Sequence, residues 1–119
     1  MTTILIIDDD TELREIVKLK LEVADFQVLD AESGEEGVEM ALEHKPDIIL
    51  MDIIMPGISG HEATESLLKQ GFTGMILALT NDKDFAKAKE AGAYDFLAKP
   101  LTPFFEKRVA SLWEKFNNE

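Results

Sequence analysis

Five short apolar runs alternate with segments of helical periodicity along the chain. Four of the runs are almost continuously apolar, as is typical of parallel strands that are covered on both faces. The runs lie at residues 4–7, 27–31, 48–51, 75–79 and 94–98. The alternation predicts an α/β fold, a doubly wound (βα)₅ flavodoxin-like sheet with the strand order 2-1-3-4-5. In that order the ligand crevice lies at the carboxyl ends of strands 1 and 3.

The first helix is predicted to begin directly behind the first apolar run. Asp10 has the short acceptor side chain that suits an N-cap. Four apolar residues then recur at helical spacing, namely Leu13, Ile16, Val17 and Leu21. We expect this stripe to pack against the sheet.

The other helices also have terminal signals. Two serine–glutamate pairs have the spacing of capping boxes and are expected to open the second and third helices: Ser33 with Glu36, and Ser59 with Glu62. Asn81 is expected to cap a fourth helix, which ends near Gly92. Thr102 and Pro103 are expected to place a cap and a first-turn proline at the start of a fifth helix.

Length, charge and cysteine content narrow the class of protein. A chain of 119 residues with 45% hydrophobic residues is about one globular domain, which we expect to span residues 1–119. The net charge of −12 argues against direct nucleic-acid binding. The sequence has no cysteine, no apolar stretch of the ~20 residues that cross a bilayer and no basic leader at its N-terminus. We therefore expect a cytoplasmic protein without membrane insertion.

Charged and hydroxyl side chains follow the apolar runs directly. Asp8 and Asp9 follow the first run and Asp52 follows the third, whereas Thr80 ends the fourth and Lys99 follows the fifth. Because the carboxyl ends of parallel strands share one edge of a sheet, these side chains should lie close together. Mg²⁺ prefers oxygen ligands and is usually held by one or two carboxylates together with substrate phosphate. The pattern predicts a Mg²⁺ site that handles a phosphoryl group.

Each of these groups has an expected role. Asp9 and Asp52 can supply metal-binding carboxylates, and Asp8 lies close enough to hold metal-bound water. Asp52 comes from the adjacent strand and faces the other two, which makes it the better candidate for a nucleophile that forms an aspartyl phosphate. Lys99 would neutralise one phosphoryl oxygen, and Thr80 would hydrogen-bond another. Singly, each residue would more often be structural, but their conjunction at one edge favours a functional site.

Other conspicuous residues are expected to be structural. The acids of the second helix, Glu35, Glu36, Glu39 and Glu43, are interpreted as a solvated face. His44 and His61 have no partner at ligand spacing and are expected at the surface, and Trp113 is expected in the core. The Lys99-Pro100 peptide is a candidate for the cis form, because proline reduces the cost of that form to ~0.5–1 kcal/mol.

The motifs together resemble the receiver domain of bacterial and archaeal two-component response regulators, in particular the stand-alone, chemotaxis-type receivers. They cover essentially the whole chain, in a specific order and spacing. The matching segments are Ile-Leu-Ile-Ile-Asp-Asp-Asp at 4–10, Met-Asp-Ile-Ile-Met-Pro-Gly at 51–57 with Gly60, Leu-Thr at 79–80, Ala-Gly-Ala at 91–93 and Phe-Leu-Ala-Lys-Pro at 96–100.

The resemblance implies a phosphorylation-dependent signalling switch rather than a turnover enzyme. Asp52 matches the aspartate that accepts a phosphoryl group from a sensor histidine kinase or a histidine phosphotransfer protein. Asp8 and Asp9 match the pair that binds Mg²⁺, with the backbone carbonyl of Ile54 as a further ligand beside Asp52.

The resemblance also implies how the signal would leave the site. Thr80 and Lys99 match the phosphate-sensing hydroxyl and lysine, and Phe96 matches the switch aromatic. Phosphorylation would draw Thr80 inward, Phe96 would follow, and the face of helix 4, strand 5 and helix 5 would change its preference for a downstream protein. The chain is expected to be a monomer or a weak, phosphorylation-dependent dimer.

Three residues depart from the family pattern. Asn81 stands where a small residue is usual, and it is expected to crowd the approach to the phosphoryl group. Ile54 is apolar where many members have a polar side chain that positions attacking water. Phe96 lacks a tyrosine hydroxyl, so the switch would act through packing alone. The first two departures predict slow hydrolysis of the aspartyl phosphate.

Two other classes and one other context remain as alternatives. A Mg²⁺-dependent phosphatase of the haloacid dehalogenase type also uses an aspartate nucleophile, but its Asp-x-Asp-x-Thr/Val motif would here end in Glu12. A flavin-binding module would need a phosphate-cradling first loop, and the acids at 8–10 would repel that phosphate. The chain could also be the receiver fragment of a larger regulator, although a natural stand-alone protein is favoured.

Overall fold

The sheet is parallel and has the predicted strand order. The computed structural model describes the backbone of residues 1–119 and every side chain except that of Asp82. In this part of the chain five strands pair in the order β2-β1-β3-β4-β5. Their bounds are β1 Thr3–Ile7, β2 Gln27–Ala31, β3 Ile48–Asp52, β4 Met75–Thr80 and β5 Asp95–Ala98. The prediction of a doubly wound (βα)₅ sheet is confirmed.

Helices cover both faces of this sheet. The described residues form α1 Thr11–Val23, α2 Gly34–His44, α3 Gly60–Lys69, α4 Phe85–Ala91 and α5 Phe105–Asn117, with a 3₁₀ turn over Asp82–Asp84 before α4. Residues of α1 and α5 pack in one core cluster, and residues of α2, α3 and α4 pack in the other. None of the helices so described is long and apolar enough to cross a membrane.

Alternating strand residues supply the two core clusters. In β1, Ile4 and Ile6 point towards α1 and α5, whereas Leu5 and Ile7 point towards the opposite helices. All four side chains are fully buried. Because each buried aliphatic side chain stabilises the fold by roughly 1.5–3 kcal/mol, a strand buried on both faces must be apolar throughout.

Most of the predicted helix starts are confirmed. The Asp10 carboxylate accepts the amide of Leu13 at 3.2 Å, so it caps α1. Ser59 and Glu62 form the reciprocal capping box of α3, with both hydrogen bonds at 3.1 Å. Ser33 accepts the amide of Glu36, which is one half of the predicted box. Gly92 ends α4 in the left-handed conformation that favours glycine (φ 112°).

The predicted start of the last helix is wrong. Thr102 accepts the amide of Phe105 with its backbone carbonyl rather than its hydroxyl, at 3.2 Å. Pro103 lies in the turn before the helix, and α5 begins at Phe105. A helix that begins there places Phe105, Val109 and Leu112 on its buried face. The hydrogen bond between Thr102 and Phe105 closes a backbone turn ahead of the helix, and Phe104 stands at the N-cap without a side-chain hydrogen bond.

Two predictions of burial and one of capping also need correction. Ile16 is 54% exposed, because the inward face of α1 is formed by Arg14, Val17 and Leu21. His61 is half-buried rather than a surface residue, and its Nδ1 has no hydrogen-bond partner among the described residues. Asn81 caps the 3₁₀ turn that precedes α4, not α4 itself.

Candidate functional site

Three carboxylates meet where β1 and β3 end. Asp8 and Asp9 directly follow β1, and Asp52 is the last residue of β3. One carboxylate oxygen from each lies within 4.8 Å of the other two. Asp8 and Asp52 are buried, whereas Asp9 is exposed. The structure therefore brings the three predicted acids together at one edge of the sheet.

A lysine that follows the edge strand β5 reaches the same cluster. Lys99 follows β5, and its Nζ donates to Asp8 Oδ2 at 2.9 Å and lies 3.1 Å from Asp52 Oδ1. Its backbone amide donates to the carbonyl of Thr80 at 3.0 Å, which ties the end of β5 to the end of β4. The Lys99-Pro100 peptide is cis, as predicted. One ammonium group thus bridges the two buried carboxylates.

The charges of the cluster are only partly balanced. Burial and the neighbouring charge of Asp8 raise the pKa of Asp52 from 3.8 to about 6, although Lys99 and the Ile54 amide oppose this. Burial alone would lower the pKa of Lys99, but its hydrogen bond to Asp8 and the charges of Asp52 and Asp8 outweigh burial and raise it. Three carboxylates face a single lysine, so the cluster has an excess of negative charge. Carboxylate oxygens are ligands that fit Mg²⁺.

The cluster opens into a cavity of ≈ 460 Å³. Thr80 lines it and is buried at the end of β4. Ile54 and Asn81 line the same cavity, and the Ile54 side chain is 78% exposed. The Asn81 carboxamide accepts the amides of Lys83 and Asp84, at 2.9 and 3.1 Å. Two of the three residues that depart from the family pattern, Ile54 and Asn81, therefore border the space that a phosphoryl group would enter.

A larger cavity, of ≈ 630 Å³, lies near the amino ends of β3 and β4. Phe72 and Trp113 line it, together with Asp47. The Asp47 carboxylate has a structural partner, because it accepts a hydrogen bond from the backbone amide of Thr3 at 2.8 Å. We therefore place the site by its chemistry, at the opposite edge, rather than by volume.

Phe96 links the end of the sheet to α4 and α5. Its ring is half-buried and lies 4.4 Å from the ring of Phe85, measured between centroids. The Arg108 guanidinium lies 5.8 Å from the Phe96 ring and donates to the Phe96 carbonyl at 3.0 Å. A movement of Phe96 would consequently disturb both helices.

Arg14 supports the acid cluster, a role that the sequence patterns did not predict. Its Nη1 donates to the backbone carbonyl of Asp8 at 2.7 Å, and its Nε donates to Asp30 in β2 at 3.1 Å. The guanidinium fixes the turn from which Asp8 projects. The signal was present, because Arg14 precedes Val17 and Leu21 at the spacing of one helix face.

Gly60 brings α3 close to the strand that ends in Asp52. A Cβ at this position would collide with the backbone carbonyl oxygen of Asp52. The Gly60 amide also donates to the carbonyl of Ile53 at 3.0 Å. Only glycine permits this approach, which accounts for its place in the motif.

Comparison with known families agrees with the fold and the acid cluster. The model for the response regulator receiver domain matches residues 4–104, so the chain belongs to that family. Receiver domains accept phosphoryl groups from histidine kinases and act as signalling switches. The alternative of a haloacid dehalogenase-type phosphatase is not supported.

Particular relatives are similar over different shares of their length. Protein PilH of Pseudomonas aeruginosa is 43% identical over 107 residues, which cover 85% of this chain and 88% of PilH. The phosphate regulon transcriptional regulatory protein PhoB of the same organism is 34% identical over 106 residues, but the chain spans 46% of its length. A putative response regulator from Chloroflexus aurantiacus superposes with a TM-score of 0.84 at 33% identity, over 95% of this chain and 98% of that one.

Proposed function

We propose that Asp52 is the phosphoryl acceptor of this receiver and that Asp8 and Asp9 hold Mg²⁺ beside it. The observation that supports this most is the Lys99 ammonium between the Asp8 and Asp52 carboxylates, 2.9 and 3.1 Å away. The backbone carbonyl of Ile54 is the proposed fourth protein ligand. When bound, the cation would offset negative charge on the phosphoryl oxygens.

The proposed step is an exchange of one bond for another. A carboxylate oxygen of Asp52 bonds to the phosphorus of a phosphohistidine, the phosphorus–nitrogen bond breaks, and its electron pair remains on the departing imidazole. Lys99 then pairs with one phosphoryl oxygen and the Thr80 hydroxyl donates to another. With a pKa of about 6, Asp52 is mostly ionised at neutral pH and so is a competent nucleophile.

The proposed output surface is the face formed by α4, β5 and α5. Thr80 would move towards the phosphoryl group and Phe96 would follow it, which would break or shift the ring contact with Phe85. A sensor histidine kinase or a histidine phosphotransfer protein would supply the phosphoryl group, and a downstream protein would bind the altered face. The chain would act as a monomer or a weak dimer in the phosphorylated state. A cytoplasmic location remains a prediction.

We also propose that residues 1–119 form one receiver domain. The family match ends at residue 104, before α5 begins. Phe105, Val109 and Leu112 of α5 nevertheless belong to the same core cluster as β1 and α1. This packing supports α5 as part of the domain.

One experiment separates the proposed switch from a turnover enzyme. The protein is incubated with Mg²⁺ and either a small acyl phosphate or a phosphate monoester. A switch should gain one hydroxylamine-sensitive phosphoryl label from the acyl phosphate and release no phosphate from the monoester. Continuous release of phosphate from the monoester would contradict the proposal.

A further inference from the structure

Glu35 of α2 contacts the loop that follows Asp52. The sequence predicts a solvated face for the acids of α2, but among the described side chains Glu35 is the one of these acids that hydrogen-bonds to another element. Its Oε2 accepts the backbone amide of Ile58 at 3.4 Å. Ile58 lies in residues 53–59, between the end of β3 and the start of α3, which we call the β3–α3 loop. One carboxylate of α2 therefore contacts the loop that carries Ile54.

The start of α2 fits closely against this loop. A Cβ on Gly57 would lie 2.6 Å from Glu35 Oε2, so the carboxylate lies directly against the loop backbone. A Cβ on Gly34, the residue before Glu35, would lie 2.6 Å from the Ile58 side chain and 3.1 Å from the Ile58 carbonyl oxygen. Gly57 also has a φ of 81°, which favours glycine. Glycine on both sides thus allows the Glu35 carboxylate to reach the loop.

The beginning of the loop is coupled to the acid cluster. Burial raises the pKa of Asp52 to about 6, and the backbone amide of Ile54 opposes this rise because it donates to the carboxylate. Ile54 also lines the cavity beside the cluster. In the described part of the chain, the contact with Glu35 is the only hydrogen bond that residues 55–58 make. This single contact therefore fixes the segment that directly follows Ile54.

We propose that Glu35 is a positioning residue for the metal site, because its carboxylate holds the β3–α3 loop in the conformation that keeps Ile54 beside Asp52. The inference rests on the proposed function, since it concerns how the proposed Mg²⁺ ligands are held before the cation binds. A segment that is already ordered loses less conformational freedom on binding, which increases affinity. Without the Glu35 carboxylate, residues 55–58 must be ordered when Mg²⁺ binds, and the affinity falls.

The test compares the Mg²⁺ affinity of three variants with that of the wild type by isothermal titration calorimetry. Glu35→Ala removes both the acceptor oxygens and the charge, whereas Glu35→Gln removes the charge and keeps an acceptor oxygen. Glu36→Ala is the matched control, because it removes an equal charge at the next, exposed position of α2. We expect the Kd for Mg²⁺ to rise about threefold to tenfold in Glu35→Ala. It should stay within about twofold of the wild-type value in the other two variants.

Two results would assign the effect to charge instead of position. A Glu35→Gln variant that binds Mg²⁺ as weakly as Glu35→Ala would show that the charge at this residue acts on the cation. A Glu36→Ala variant that is equally weak would show that the charge of α2 as a whole acts. Either result would overturn the proposal, as would a Glu35→Ala variant with the wild-type Kd.

Amide hydrogen exchange in a chelator tests the same role without the metal. Exchange in residues 55–58 should be faster in Glu35→Ala than in the wild type, and exchange in β1 and β4 should not change. Glu35→Gln should restore the slower exchange of the loop. Faster exchange throughout the molecule would indicate a general loss of stability, and unchanged exchange of residues 55–58 would show that the carboxylate does not hold the loop. Both results would contradict the proposal.

The phosphoryl label separates this inference from the proposed function. At saturating Mg²⁺, the wild type and Glu35→Ala should each gain one hydroxylamine-sensitive label from a small acyl phosphate. A wild type that binds no Mg²⁺ or gains no label would contradict the proposed function. A labelled wild type whose Mg²⁺ affinity is the same as that of Glu35→Ala would overturn only the inference about Glu35.

Discussion

At the scale of single residues, the buried charge of Asp52 lowers the stability of the metal-free fold. Its pKa is raised from 3.8 to about 6, chiefly by burial and then by Asp8. Between these values the folded protein binds more protons than the unfolded chain, so stability is lost as the pH rises through this window. Above pH 6 the penalty is fully present, and below the unfolded pKa it is absent.

This penalty predicts that Asp52→Asn increases stability by an amount that depends on pH. In a chelator, the variant should be more stable than the wild type by on the order of 1–3 kcal/mol at roughly pH 8, and the difference should shrink towards pH 4. Urea unfolding at both pH values measures it. Glu39→Gln, at an exposed position of α2, is the control and should show no such dependence. A gain that is the same at both pH values would contradict the assigned cause.

Ile54 is expected to prolong the phosphorylated state. Its side chain lines the cavity beside the acid cluster and has no group that orients water. Ile54→Asn should therefore shorten the lifetime of the label by about tenfold or more, because a positioned polar group aligns the attacking water. The decay of label is followed after the phosphodonor is removed in excess Mg²⁺. Ile54→Val is the control, and equal decay in the wild type and Ile54→Asn would refute the prediction.

At the scale of elements, strands were easier to predict than helix ends. The order of strands and the acid cluster follow from apolar runs and from the residue after each run, which are local in sequence. The predicted start of α5 was wrong because the backbone carbonyl of Thr102, and not its hydroxyl, accepts the Phe105 amide, so Thr102 and Pro103 form a turn before the helix. Arg14 was missed because its partner, Asp30, lies in another element.

The link between α1 and β2 should contribute to stability. Asp30→Asn removes the charge that faces the buried Arg14 guanidinium, so the free energy of unfolding should fall by about 1 kcal/mol. This estimate is modest because the Asp30 side chain is 41% exposed. Urea unfolding of Asp30→Asn is compared with that of Glu32→Gln, at an exposed neighbouring position. Equal stability of the two variants would show that the pair contributes nothing.

At the scale of the whole molecule, Mg²⁺ should stabilise the fold. The cation would relieve the repulsion among Asp8, Asp9 and Asp52, and a ligand at a hundredfold excess over its Kd adds about 2.7 kcal/mol. Thermal unfolding followed by circular dichroism should show a higher midpoint with Mg²⁺ than with chelator. Asp9→Asn should respond much less. An unchanged wild-type midpoint, or an equal response of the variant, would contradict the metal site.

At this scale as well, the sequence predicts some features of the molecule and not others. Most of the motifs follow a strand, and these place their charged and hydroxyl residues at the same edge of one sheet. The cavity lined by Phe85, Lys89, Tyr94 and Lys115 has no comparable signal, because it depends on how α4 and α5 pack around Tyr94. Sequence patterns therefore predicted which charged residues meet at this edge, whereas the packing of α4 and α5 against the sheet required the structure.

The central claim is that Asp52 accepts the phosphoryl group, and labelling of substituted proteins tests it most directly. Wild type, Asp52→Asn and Asp10→Asn are incubated with a small acyl phosphate and Mg²⁺, and the hydroxylamine-sensitive label is counted per chain. Asp10 lies in the loop that carries Asp8 and Asp9, but its side chain caps α1, a role that asparagine also fills. We predict one label in the wild type and in Asp10→Asn, and none in Asp52→Asn. A full label in Asp52→Asn would place the acceptor elsewhere and contradict the account.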